Sequence, residues 1–318
     1  LTLYDSNGSQ IDYMNVTAMN TDNSIGRSPI DGSILFFENP TPGEQNPSIG
    51  FSGAIESEVI FSHQGGEFNG QSVSLAGAAE GEEIRYTLNA AIPTKLSNLY
   101  TSPIMISGDT VIRAKIFKDN HIPSRTDSRT YITSNTHDLP IVTLVSEPNN
   151  FFSQQQGIYE YGPEGNYENS LPFFGANFWQ DWERDIHFSF YEPTGELGVA
   201  LDAGVKIFGA WSRANDQRSM SIHARGRYGF SKLEYPIFPS LDYDKFESIV
   251  LRGAGNDWMK TNVKDVIATS LMEGSGLEYQ ANRSAVVYLN GQYWGFYNIR
   301  EKVNEHFLDD KINVDKSE

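Results

Sequence analysis

Between residues 204 and 232 the chain sets six bases, Lys206, Arg213, Arg218, Arg225, Arg227 and Lys232, against one acid, Asp216. The preceding stretch, 137–203, holds eleven acids and one base, Arg184. In a chain of formal net charge −17, bases gathered on adjacent strands can hold an anion. Arginine suits phosphate because its planar fork donates in pairs. The run Gly204-Val-Lys-Ile-Phe-Gly209-Ala-Trp-Ser-Arg213 adds a strand that leads into a glycine turn. Backbone amides in such a turn can cradle phosphate. The same residues also fit a plainer reading. Bases can neutralise the preceding acids across a sheet, where opposite charges commonly pair, and Gly209 can be an ordinary turn glycine. Charge alone leaves both readings open.

Other chemistry is sparse. The glycine-rich phosphate signatures G-x-x-x-x-G-K-[ST] and G-x-G-x-x-G are absent. So is the G-x-S-x-G nucleophile elbow. Histidines stand at 63, 121, 137, 187, 223 and 306, with no spacing that pairs two on one metal. Carboxylates crowd around Asp181, Glu183 and Asp185, but nothing marks two of them as a glycosidase pair. Asn177 to Asp185 is rich in oxygen ligands yet lacks the EF-hand pattern, which suits a solvated turn. With no cysteine, thiol nucleophiles, disulfides, zinc–thiolate sites and iron–sulfur clusters are excluded.

The elements that must position these residues are mostly strands. The 318 residues are 39% hydrophobic, 13% aromatic and only 20% charged, a composition that builds cores rooted in sheets and turns. The acidic balance argues against a nucleic-acid partner. No apolar run approaches the ~18 residues of a membrane span. The chain opens on Leu1-Thr-Leu-Tyr4 within a strand pattern and is read as an internal piece of a longer protein.

Three regions follow. Residues 1–50 alternate short strands with turns and make a partial domain. Residues 51–136 carry alternating runs such as Ile84–Leu88 and Thr110–Phe117, at intervals that suggest a small β-sandwich. Residues 137–318 read as α+β. Strands are expected over 140–145, 186–191, 204–208, 219–224 and 248–251. A hairpin is expected over 285–299 around Asn290-Gly291, the strongest short hairpin signal. Helical spacing of Val263, Val266, Ile267 and Met272 predicts a helix over 262–273, stopped by Gly274. A second helix is expected from about Val303, including Phe307 and Leu308. The fold class is therefore multidomain, all-β in its N-terminal part and α+β in its C-terminal part.

Several of these stretches carry a resemblance. Leu139–Val145, Gly157-Ile-Tyr159, Asp181–Arg184, His187–Phe190, Asp202–Ile207, Gly209–Arg213 and Gln217-Arg-Ser219 occur in the order of the CotH kinase family, a secreted branch of the protein-kinase-like fold associated with spore coats. Leu251-Arg252, Gly255-Asn-Asp257, Tyr288–Gly295 and Ile299–Lys302 continue it. Residues 138–308 thus resemble the N-terminal part of that family. Gly65-Gly66, Ile84–Leu88, Pro93-Thr94, Leu99-Tyr100, Pro103-Ile104 and Thr110–Ala114 resemble the fibronectin-III-associated, chitobiase C-terminal-type sandwich, with Asn89-Ala-Ala91 where that family usually has Asp-Gly-Ser. Residues 1–46 are similar to the last strands of a bacterial lamin-tail domain.

The kinase resemblance implies an N-lobe whose sheet covers a nucleotide and whose basic groups grip its phosphates. The Gly204–Arg213 turn would lie over the phosphates. The family's Pro-Lys-Lys-Ser reads Asp216-Gln217-Arg218-Ser219 here, making Arg218 the candidate gripping group with Arg213 as support. The family's Arg-Asp at the helix start reads Lys264-Asp265. Asp265 would orient a basic group, or simply compensate the helix N-terminus. Arg300-Glu-Lys302 would lead into the hinge. The nucleotide- and phosphate-binding candidates are Lys206, Gly209, Arg213, Arg218, Asp265, Arg300 and Glu301. No metal ligand is assigned, and the catalytic and metal-binding aspartates are expected after Glu318.

The resemblance implies a bacterial, extracellular or envelope-associated protein kinase. Its ATP and Mg²⁺ would serve the intact parent, transferring a phosphoryl group to Ser or Thr of a partner protein, while this piece alone is expected to be incompetent. The alternative is a non-catalytic adhesion or scaffold protein that binds a matrix component, protein or carbohydrate. For carbohydrate, Trp179, Trp182, Trp211, Trp258 and Trp294 are candidates, with core packing the expected role of most. A glycoside-processing enzyme is a third reading, which the sandwich module does not by itself support.

Overall fold

The computed structural model describes residues 1–16 and 20–312. Residues 1–50 form two small antiparallel ribbons, Thr2–Tyr4 with Gln10–Tyr13 and Ser24–Arg27 with Ile34–Phe37. The first ribbon exposes Leu3, Tyr4, Ile11 and Tyr13, so it contributes little core of its own.

Residues 51–136 build a five-stranded sheet in the order Asn98–Leu99, Glu83–Thr87, Thr110–Phe117, Asp127–Ile132, Gly66–Glu67. Short pairs, Ile60–Phe61 with Leu75–Ala76 and Ser72–Val73 with Ile104–Met105, accompany it. Alternation in the central strand decides the packing. Ile112, Ala114 and Ile116 join Val59, Phe61, Val73 and Ile104 in one buried cluster. Val111 and Arg113 therefore lie on the opposite face.

The C-terminal region closes into a seven-stranded barrel. Its strands are β1 (Ile141–Val145), β2 (Arg184–Tyr191), β3 (Leu197–Phe208), β4 (Ser219–His223), β5 (Ser248–Arg252), β6 (Asn282–Leu289) and β7 (Gln292–Glu301). Their spatial order is β1-β2-β3-β4-β5-β7-β6, and a parallel β6–β1 pair closes the ring. Three short helices accompany it: α1 (Pro148–Phe152), α2 (Lys264–Ser270) and α3 (Glu305–Ile312). The strand expectations hold to within a residue at β1, β4 and β5, whereas β2 starts two residues early and β3 well before the expected Gly204. The helix expected over 262–273 is limited to α2, because Val263 and Leu271 flank it as caps. Helices are thus fewer and shorter than an α+β reading suggests, and the barrel dominates. At the expected hairpin Asn290 (φ 48°) and Gly291 (φ 82°) both take left-handed backbone, as a type I′ turn requires.

Each barrel strand turns alternate residues inward. Leu144, Phe188, Phe190, Val205, Ile207, Met220, Ile222, Leu251, Val287, Tyr297 and Ile299 fill the interior. Burying side chains of this size stabilises the fold by roughly 1.5–3 kcal/mol each. The outer wall has two fates. At β1 and β6 it packs on the sandwich: Ile141, Val286 and Tyr288 meet Ile132, and Val145 meets Val111. Across β3, β4, β5 and β7 it is polar.

Candidate functional site

That polar outer wall is where the basic residues gather. Lys206, Ser221, Val250, Arg300 and Asn282 are successive cross-strand partners on β3, β4, β5, β7 and β6. At about 4.8 Å per strand, Lys206 and Arg300 lie some 14 Å apart in one row. The next row holds Gly204, His223 and Ser248. The row on the other side holds Arg252, Asn298 and Ser284.

Helix α2 lies over this wall through charge. Asp265 pairs with Arg252 Nε and, at 3.3 Å, with Arg300 Nη1. Arg300 is almost fully buried; its Nη2 donates to Thr269 Oγ1 at 3.2 Å and Gln280 Oε1 at 3.3 Å. Arg300 Nε is buried without a partner. Two guanidinium groups thus share one carboxylate, leaving an uncompensated positive charge. Burial lowers the Arg300 pKa, while Asp265 opposes that shift.

The loop between β5 and α2 is held in unusual backbone. Ala254, Met259 and Asn262 all have φ near +60°, a region costly for residues other than glycine. Buried and half-buried side chains hold the loop there. Asn298 Nδ2 donates to Asn262 O at 2.8 Å, and Asn215 Nδ2 donates to Gly255 O at 3.2 Å. Asp257 accepts from Thr261 Oγ1 and from the Lys264 amide at 3.0 Å, and these bonds lower its pKa.

His223 reports the field of the wall. It is buried, with Nε2 2.9 Å from Ser221 Oγ. Burial, then Lys302, push its pKa down to about 4, with Arg225 and Lys206 adding to the shift. Burial and the same two bases also lower Lys302.

The charge ambiguity in the sequence resolves residue by residue. Lys206 pairs with Asp181, and Arg225 and Arg227 both pair with Glu183, so these three neutralise the preceding acidic stretch. Although burial opposes it, hydrogen bonds from Arg225 and Tyr228 hold the Glu183 carboxyl below its usual range. Lys232 pairs with Glu247. Arg213 and Arg218 have no carboxylate within 4 Å among the described residues.

Gly209 needs its glycine because its φ of 117° is a backbone conformation that L side chains rarely adopt. Arg213 folds back on this turn, donating from Nε to Gly209 O at 2.7 Å and from Nη1 to Phe178 O at 3.1 Å. Arg218 turns to the barrel end, its guanidinium 4.2 Å from the Phe178 ring centroid and 5.3 Å from that of Tyr159. It is buried, which lowers its pKa, and its carbonyl accepts from Tyr297 Oη at 3.0 Å. Glu301 is buried too, bonded to Tyr243 and the Ala281 amide and paired with Lys311 at 3.2 Å.

Of the seven candidates, then, Asp265 and Arg300 touch, and Lys206 shares their wall. Gly209 and Arg213 form one turn, while Arg218 and Glu301 pack elsewhere. Arg252 and Asn298 were not singled out, although their strand positions next to inward-facing Leu251 and Ile299 place them on the polar face. No group of three or more His, Asp or Glu that could hold a metal ion occurs among the described residues.

Two known families match parts of the chain. Residues 205–318 match the family model described as CotH kinase protein. The segment from the end of β3 onward is CotH-like. It contains the Gly209 turn, the Asp265–Arg252–Arg300 cluster and the Arg300–Lys302 link. The CotH match begins later than the resemblance read from residue 138, so β1 and β2 lie outside it. Residues 63–128 match the chitobiase/beta-hexosaminidase C-terminal domain, within the five-stranded module. No curated protein matches the chain. No helix among the described residues is long and apolar enough to cross a membrane.

Proposed function

We propose that the basic outer wall of the barrel covers the phosphates of a nucleotide, and that the longer protein is an extracellular or envelope-associated CotH-type kinase. The reaction is transfer of the ATP γ-phosphoryl group to Ser or Thr of a partner protein. The observation that carries this reading is the excess positive charge where Asp265 is shared by Arg252 and Arg300. Arg252, about one-third exposed, meets the phosphate. Arg300 adds charge from behind, and Asp265 fixes both forks relative to α2. Lys302 adds positive field along the wall, felt at His223. Anions bind well at such pre-oriented donors because little reorganisation is required. Mg²⁺ would neutralise phosphate charge; this chain's part is to hold and orient the anion.

The test is calorimetric titration of ATP, with and without Mg²⁺, into this chain and into the longer protein. Binding that Arg252→Ala weakens at least tenfold supports the reading. A folded longer protein that takes up no nucleotide overturns it. The scaffold reading draws on one observation, the exposed Trp211 beside exposed Phe174. Glycan binding lost in Trp211→Ala, with no nucleotide binding, would establish it instead.

A further inference from the structure

A second polar site lies between the sandwich and the barrel, away from the wall described above. It is a cavity of about 270 Å³. Arg113 enters it from the sandwich face that turns away from the sandwich core. Arg113 is 8% exposed, and its Nη1 donates to Ala90 O at 2.9 Å. Its Nε is buried without a partner. Glu147 and Asp185 line the same cavity from the barrel side, and with Asp202 they act on Arg113 through space. None of Arg113, Glu147 and Asp185 has an ion-pair partner within 4 Å among the described residues. One carboxylate oxygen of Glu147 accepts from the Ile92 amide.

The remaining charges here are matched. Asp202 takes Arg125 Nη2 at 2.8 Å and His187 Nδ1 at 2.9 Å. His187 Nε2 is buried without a partner. The cavity thus has a cationic side at Arg113 and an anionic side with two carboxylates that hold no ion pair. A buried guanidinium with no carboxylate in contact is costly. Direct contact would remove that cost, yet the two modules hold the opposite charges apart.

We propose that this cavity binds a small zwitterion of amino-acid size, its carboxylate on Arg113 and its ammonium toward Glu147 and Asp185. A ligand with one charge engages only one side of the lining, whereas a zwitterion engages both. The volume suits one such molecule or a few waters.

The experiment titrates the twenty amino acids singly into this chain, read by thermal shift and calorimetry. Acetate, methylammonium and glycine betaine, whose ammonium lacks N–H, are the controls. At least one amino acid is expected to raise the melting temperature in a concentration-dependent way, and the controls are not. Arg113→Met and Asp185→Asn should each weaken that binding at least tenfold. Asp185 is exposed, so Asp185→Asn reads the site even if Arg113→Met fails to fold. No response to any amino acid, an equal response to betaine, or binding unchanged in Asp185→Asn would overturn the assignment.

Discussion

Replacing Asp265 with asparagine keeps the shape of the side chain and removes the one carboxylate shared by Arg252 and Arg300. Arg300 is only 2% exposed, so it cannot recover hydration by turning outward. Its remaining partners, Thr269 Oγ1 and Gln280 Oε1, are neutral. Arg252 would then face Arg300 as an unscreened like charge. Breaking a fully buried pair costs about 3–5 kcal/mol. Here the Asp265 and Arg252 side chains are 29% and 36% exposed, and solvent screening reduces the expected loss to about 2 kcal/mol. For a barrel of this size that corresponds to a fall of roughly 4–8 °C in melting temperature. Arg252→Met should cost less than ~1 kcal/mol, because Asp265 then serves Arg300 alone. The double variant should recover part of the Asp265→Asn loss. Urea unfolding followed by tryptophan fluorescence measures all three. If Asp265→Asn stays within ~0.5 kcal/mol of the parent, or if Arg252→Met costs as much, the shared-carboxylate argument is wrong.

Two further perturbations probe the same framework. His223 titrates near 4 in the folded chain against about 6.5 unfolded, so between these values only the unfolded chain takes up its proton. Its contribution is therefore complete above pH 6.5, shrinks as pH falls toward 4 and is constant below, amounting to roughly 3 kcal/mol at most. His223→Gln should be less sensitive than the parent between pH 7 and 4.5 in urea midpoints, and parallel curves would contradict the burial-and-charge account. Gly66 has φ 80°, and a Cβ there would lie 2.8 Å from the Tyr191 ring, at the junction of sandwich and barrel. Gly66→Ala should cost at least ~1–3 kcal/mol from backbone strain alone and open that junction to limited proteolysis; unchanged protection would show that the contact yields freely.

Where strand alternation dominates, the sequence was readable in detail. Ile112, Ala114 and Ile116 alternate with Val111, Arg113 and Lys115, so the sandwich core could be inferred. Asn290-Gly291 prescribes its own turn. Closure of the barrel was not readable, because the β6–β1 pair joins strands nearly 150 residues apart and no local pattern encodes it. The same limit governs the site. The bases of 204–232 look like one cluster along the chain, but β3 and β4 distribute them. Lys206 faces outward to Asp181, whereas Arg218, one residue before β4 begins at Ser219, turns over the barrel end onto Phe178 and Tyr159. Their separation follows from the pleat and from the turn at Gly209, neither of which charge counting detects. Conversely, Arg252 and Arg300 are 48 positions apart and become neighbours only because β5 pairs with β7. A carboxylate on α2 then has two guanidinium groups within reach. A basic run in sequence is therefore weak evidence for an anion site. Bases brought together across paired strands, with fewer acids than they need, are the stronger evidence, and in this chain that arrangement occurs beneath α2.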